Sequence, residues 1–88
     1  TLFCGDLFTH TGDPPALTAD DIVAPANAAE DLFGATCLTP ATAPTIRALA
    51  ELGPQTLALM HGSSFNGDCR RALLDLADDY AARLQAAR

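Results

Sequence analysis

The spacing of apolar residues changes several times along this chain. Thr1–Cys4 is apolar and β-prone until Gly5 interrupts it, which predicts a short strand ending near Asp6. Thr9–Pro15, T-H-T-G-D-P-P, reads as a loop from its turn residues. From about Ala19 to Phe33 the period becomes helical, with Ile22, Ala26, Ala29, Leu32 and Phe33 on one face. Thr18 followed by Asp21 resembles a capping box, Pro25 should kink or divide the helix, and Gly34 is a natural stop.

Thr39-Pro40 predicts a second helix start, although Pro44 pushes that start later. Ile46, Leu49 and Leu52 carry the apolar face of this helix to Gly53-Pro54. Gln55–Met60 is read as a strand that is apolar on both faces, as in a strand covered on both sides in a layered domain. A last helix starts near Asn66–Asp68, with Asp68 as its N-cap. Its stripe is Cys69, Leu73, Leu76, Tyr80 and Leu84, and Arg83 and Arg88 lie where cations suit its C-terminal dipole. The predicted order is strand, helix, helix, strand, helix: an α/β class with an incomplete sheet. Two strands alone are marginal, and T-L-F-C-G-D reads as a chain entering partway through a fold, one portion of a single domain over 1–88.

Composition narrows the functions. Among 88 residues there is no Lys, all five cations are Arg, and the net charge is -6. That disfavours a nucleic-acid surface and an anionic membrane, both of which require basic patches. No apolar run is long enough to span a bilayer and no signal-peptide pattern is present. Cys4, Cys37 and Cys69 are odd in number and form no C-x-x-C pair, which argues against a disulfide framework or zinc ribbon and fits a reducing, cytoplasmic setting. A small-molecule substrate and self-association remain as partner classes.

Two polar residues stand at predicted strand ends: Asp6 after L-F-C-G and His61 after L-A-L-M. Open α/β sheets place their sites there. If the two strands are parallel neighbours, both side chains project from one rim, where a carboxylate and an imidazole suit a metal ion. Gly5 and Gly62 beside them would leave room for metal and substrate. Each residue also has a structural reading, His61 as a hydrogen-bonded strand end and Asp6 as a turn former. His10 reads as a solvated loop residue. Ser63 and Ser64 read either as substrate contacts or as loop and cap chemistry, and Cys4, Cys37 and Cys69 as small buried hydrophobes.

L-F-C-G-D-L-F and L-A-L-M-H-G-S-S-F-N-G-D, with two helices between them, resemble the last two metal-binding segments of the metallo-β-lactamase-fold family. The nearest branch is the one with oxygen-binding di-iron domains. The resemblance implies that this chain is the C-terminal part of an αββα sandwich. It implies that Asp6 bridges two divalent metal ions, zinc or iron, and that His61 binds one of them. The family's H-x-[HE]-x-D-H motif and its further His ligand do not occur here. The implied activity of the complete enzyme is hydrolysis, with a metal-bound hydroxide attacking an ester, thioester, amide or phosphoester; the chain alone should be inactive, since a catalytic zinc needs about three protein ligands. Two alternatives stand beside it: a flavodiiron-like protein that binds or reduces oxygen or nitric oxide, and a non-enzymatic interaction module.

Overall fold

The computed structural model describes residues 1–12, 14–34 and 36–87. It is a mixed α/β fold: β1 (Leu2–Gly5), β2 (Leu17–Thr18), α1 (Val23–Phe33), α2 (Thr42–Ala50), β3 (Leu57–Leu59), β4 (Ser64–Phe65) and α3 (Cys69–Ala87). The sheet has four strands where two were expected, in the order β1-β3-β4-β2. β1 and β3 run parallel with Leu2 opposite Leu57 and Phe3 opposite Ala58; β4 is antiparallel to β3 and parallel to β2. The two extra strands hold two residues each. A two-residue strand has no period of its own, so pairing with neighbours is all that defines it.

The helix ends follow local chemistry. α1 begins later than expected, at Val23, because the Asp21 carboxylate accepts the backbone N–H groups of Val23 and Ala24 at 2.8 and 3.3 Å. Pro25 therefore falls in the first turn, where its missing N–H costs nothing, and α1 is not divided. Gly34 closes the helix in the left-handed region at φ 57°, its N–H donating to the Glu30 carbonyl. In α2, Pro44 is likewise accommodated in the first turn. Asp68 caps α3 by accepting the Arg71 N–H at 3.0 Å.

One apolar core joins the layers. Cys4, Leu57 and Phe65 of the sheet meet Ile22 and Ala26 beside and on α1, Ala43, Ile46 and Ala50 on α2, and Cys69, Leu73, Leu76 and Tyr80 on α3. Leu84 is half-buried at the end of this stripe, and Leu32 and Phe33, expected to be core, are exposed at the end of α1. The expectation that the central strand is covered on both faces is also corrected. In β3 Leu57 is fully buried but Ala58 and Leu59 are only half-buried, and next to it Phe3 of β1 is 84 % exposed, with Leu17 of β2 and Met60 after β3 more than half exposed. The helices supply one core, and one face of the sheet is left bare.

Arg83 does more than complement a dipole. Its guanidinium contacts Asp79 at 2.6 Å and Asp31 at 2.8 Å and donates to the Asn27 carbonyl at 3.1 Å, which ties α3 to the C-terminal half of α1. The hydrogen bond to Asp79 is the largest influence raising its pKa above the ordinary value. Arg88, expected to act alongside it, lies outside the described residues, as does Asp13 of the early loop. No helix among the described residues is long and apolar enough to cross a membrane.

Candidate functional site

The sheet order brings together the two strand-end residues. β1 and β3 are parallel neighbours, so Asp6 and His61, 55 positions apart in sequence, leave the sheet on the same rim. The Met60 N–H donates to the Gly5 carbonyl at 3.2 Å and carries the pairing to the last residue before His61. His61 Nε2 lies 3.5 Å from Asp6 Oδ1, with the side chains 60 % and 80 % exposed. At that exposure water screens the pair, so it adds little to stability and is open to a ligand.

The loop after β1 is shaped for this placement. Thr9 donates to the Asp6 carbonyl from its backbone N–H at 3.3 Å and from Oγ1 at 2.6 Å, and the Leu7 N–H donates to the Cys4 carbonyl. Phe8 occupies the left-handed region at φ 63° with its ring fully buried. A bulky residue rarely adopts that conformation; here the aromatic ring anchors the turn in the core.

His10 is not solvated. It is 8 % exposed, and both ring nitrogens have backbone partners. The Ser63 N–H donates to Nε2 at 2.9 Å, which leaves the ring proton on Nδ1, donating to the Phe8 carbonyl at 2.8 Å. The His10 N–H also donates to the His61 carbonyl at 3.1 Å. The imidazole can be buried because no polar atom of it is left unpaired. Its partner Ser63 lies far away in sequence, so loop composition alone pointed the other way. With both nitrogens engaged, His10 is unsuited to metal binding and instead fixes the turn that holds His61.

Gly62 serves the same contact. It sits at φ 122°, and a Cβ there would fall inside van der Waals contact of His10 Cε1, Nδ1 and Nε2. The space that a side chain would take is filled by the His10 ring. Ser63 is 2 % exposed, and its hydroxyl donates to the Pro15 carbonyl. Ser64 is half-buried in β4, where its hydroxyl accepts the Leu59 N–H at 3.2 Å. Both serines are thus placed in hydrogen bonds that join the β3–β4 turn to its neighbours.

A cavity of about 460 Å³ opens between this rim and α1. Asp6, Thr9 and His61 border it, and Glu30, Thr36 and Tyr80 supply the rest of its polar lining. Pattern reading missed these last three. Glu30 did leave a signal: it falls on the apolar face of α1, four residues after Ala26 and three before Phe33, where an unpartnered carboxylate would be costly. Its partner is Thr36, which donates to it from the backbone N–H at 3.1 Å and from the hydroxyl at 2.7 Å.

Asp6 and His61 fit a metal ion as two of its ligands. Two bonds of about 2.1 Å at a tetrahedral angle set their donor atoms about 3.4 Å apart, close to the observed separation. Among the described residues no group of three His, Cys, Asp or Glu side chains is gathered to hold an ion.

The buried thiols are not nucleophiles at neutral pH. Burial, reinforced by the nearby Cys69 thiol, pushes Cys4 up to about 11 from an ordinary 9.0. Burial, then the Asp68 carboxylate, raises Cys69, and burial raises Tyr80. These shifts set a pH dependence. In the unfolded chain Cys4 ionises near 9.0, while the folded chain still holds the proton, so the unfolded state binds fewer protons and stability falls between about pH 9 and 11. Urea melts at pH 8 and 10.5 should differ by up to about 2 kcal/mol, and Cys4→Ala should flatten that slope. An unchanged slope in the variant would assign the alkaline loss to other groups. Cys37, expected to be buried like the other two, is exposed, so native alkylation at pH 8 should modify that thiol and spare the other two.

Compared with protein-family models, with curated proteins and with solved structures, the chain matches none.

Proposed function

We propose that this chain is the C-terminal part of a metallo-β-lactamase-fold metal-dependent hydrolase and supplies two of its metal ligands, Asp6 and His61. The observation that carries the proposal is their convergence: two residues from distant segments meet at 3.5 Å on the C-terminal rim of parallel neighbouring strands. The bare sheet face around Phe3 supports it too, since an αββα sandwich covers that face with its other sheet. When bound, the metal would polarise the substrate and lower the pKa of a water. The chain's own part is positional. Asp6 is held by the Thr9 hydrogen bonds, and the His61 backbone is held by the His10 N–H. Gly62 lets the two loops approach closely enough for that.

The chain carries its own control, because His10 has no free nitrogen. Titrating Zn2+ into the labelled protein should shift the ring resonances of His61 and leave those of His10 in place. Asp6→Asn and His61→Gln should each abolish the shift. Equal responses from both histidines, or a His61 shift indifferent to Asp6→Asn, would remove the support for a shared ligand pair. In the complete enzyme, Asp6→Ala or His61→Ala should lower metal content sharply with the fold retained; full occupancy in both would end the assignment.

A further inference from the structure

The cavity between α1 and the β1–β3 rim has a polar lining dominated by acceptors. Among the described residues no Lys or Arg borders it, while Asp6 and Glu30 bring two carboxylates. The hydroxyl protons around it point inward to the protein. Thr9 Oγ1 spends its proton on the Asp6 carbonyl at 2.6 Å. Thr36 spends both its N–H and its O–H on the Glu30 carboxylate. The Thr36 hydroxyl has one proton, so in its 3.4 Å contact with the Tyr80 hydroxyl the tyrosine must be the donor. The chain runs Tyr80 to Thr36 to Glu30, and each link uses up a proton. Apart from the ring N–H of His61, what remains for a ligand is lone pairs: those of Tyr80 Oη, of the Glu30 carboxylate and of Asp6. The walls between them are apolar, from Leu7, Ala26, Ala29 and Phe33.

We infer that this cavity binds a small organic cation, an ammonium group on an apolar body, with Glu30 as its counter-ion. The volume, about 460 Å³, lies in the range of small-molecule pockets. A lining with two carboxylates and the His61 ring N–H as its one uncommitted side-chain donor repels an anion, whereas an ammonium brings three donors to it. Tyr80 and Phe33, whose side chains can attract a cation, are among the residues that line it. The inference rests on the proposed site only in that Asp6 and His61 form the cavity's rim; Glu30, Thr36 and Tyr80 carry it without a metal.

The test uses the chain's single tyrosine, Tyr80, as reporter, since there is no tryptophan. Hexylammonium, hexanol and hexanoate are titrated in the presence of EDTA, so the outcome is independent of the zinc titration. Hexylammonium should give a saturable change in tyrosine fluorescence at least about tenfold tighter than hexanol, and hexanoate should give none, as expected for hydrogen bonds to a charged group. Glu30→Gln should erase the preference for the cation over hexanol. Ala29→Leu, which fills the cavity and leaves the Glu30–Thr36–Tyr80 chain in place, should block hexylammonium and keeps the test alive if Glu30→Gln fails to fold. Equal binding of all three probes, no saturable response, or a preference that survives Glu30→Gln would overturn the assignment.

Discussion

Gly62→Ala should destabilise the protein by at least about 3 kcal/mol, from backbone strain and overpacking together. At φ 122° an alanine would occupy a region that L-residues rarely enter. Its methyl group would also press on the His10 ring. The ring cannot step aside cheaply, because moving it breaks the Ser63 N–H bond at Nε2, the Nδ1–H bond to Phe8, or both. A double-mutant cycle separates the two causes. In a His10→Ala background the steric part disappears, so Gly62→Ala should cost clearly less there. Costs that simply add would show that the backbone angle alone makes glycine necessary. The zinc response of His61 should weaken in Gly62→Ala as well, because the turn displaced is the one that holds its carbonyl against the His10 N–H.

Phe8→Ala should cost about 3–5 kcal/mol, the usual loss for truncating a fully buried aromatic ring. Domains of this kind have about 5–15 kcal/mol in total, so the variant should be partly unfolded at room temperature or melt far earlier than the parent. The residue keeps a left-handed backbone at φ 63° only because its buried ring holds it there. Alanine would keep the strain and lose the anchor. Phe8→Gly is the informative companion: it removes the same ring but relieves the backbone, so it should be less damaging than Phe8→Ala by roughly 1 kcal/mol. Denaturant melts of the two variants give the comparison directly. Phe8→Gly falling well below Phe8→Ala would mean that the loop stores no strain at this position.

The candidate site was legible in part. Asp6 and His61 stood out because each follows an apolar run and precedes glycine-containing loop chemistry, and the condition for their meeting was stated by topology: parallel, adjacent strands. The structure meets it. His10 was misread because its two partners, the Phe8 carbonyl and the Ser63 N–H, are backbone groups that no side-chain pattern announces. Ser63 and Ser64 looked like an open loop because β4 is too short to show a period. Glu30, Thr36 and Tyr80 could not be connected from sequence, since the third lies 44 positions beyond the second.

By itself the sequence determined the three helices, the end of α1 and the start of α3, while α1 starts later than its pattern suggested and α2, Thr42–Ala50, is shorter at both ends. Asp68 caps α3 and Gly34 ends α1 as read, through groups within a few residues, whereas at the start of α1 the cap is Asp21 and Thr18 only accepts the Asp20 N–H. It also determined the mixed α/β class, because both longer strands are apolar runs of the right length. Only the tertiary structure decided the sheet order, the bare face around Phe3, the burial of His10 and the acceptor-lined cavity. Each of these depends on which distant segments become neighbours. Local spacing fixes how a segment folds, but pairing between segments is settled by the whole set of contacts that must be satisfied together.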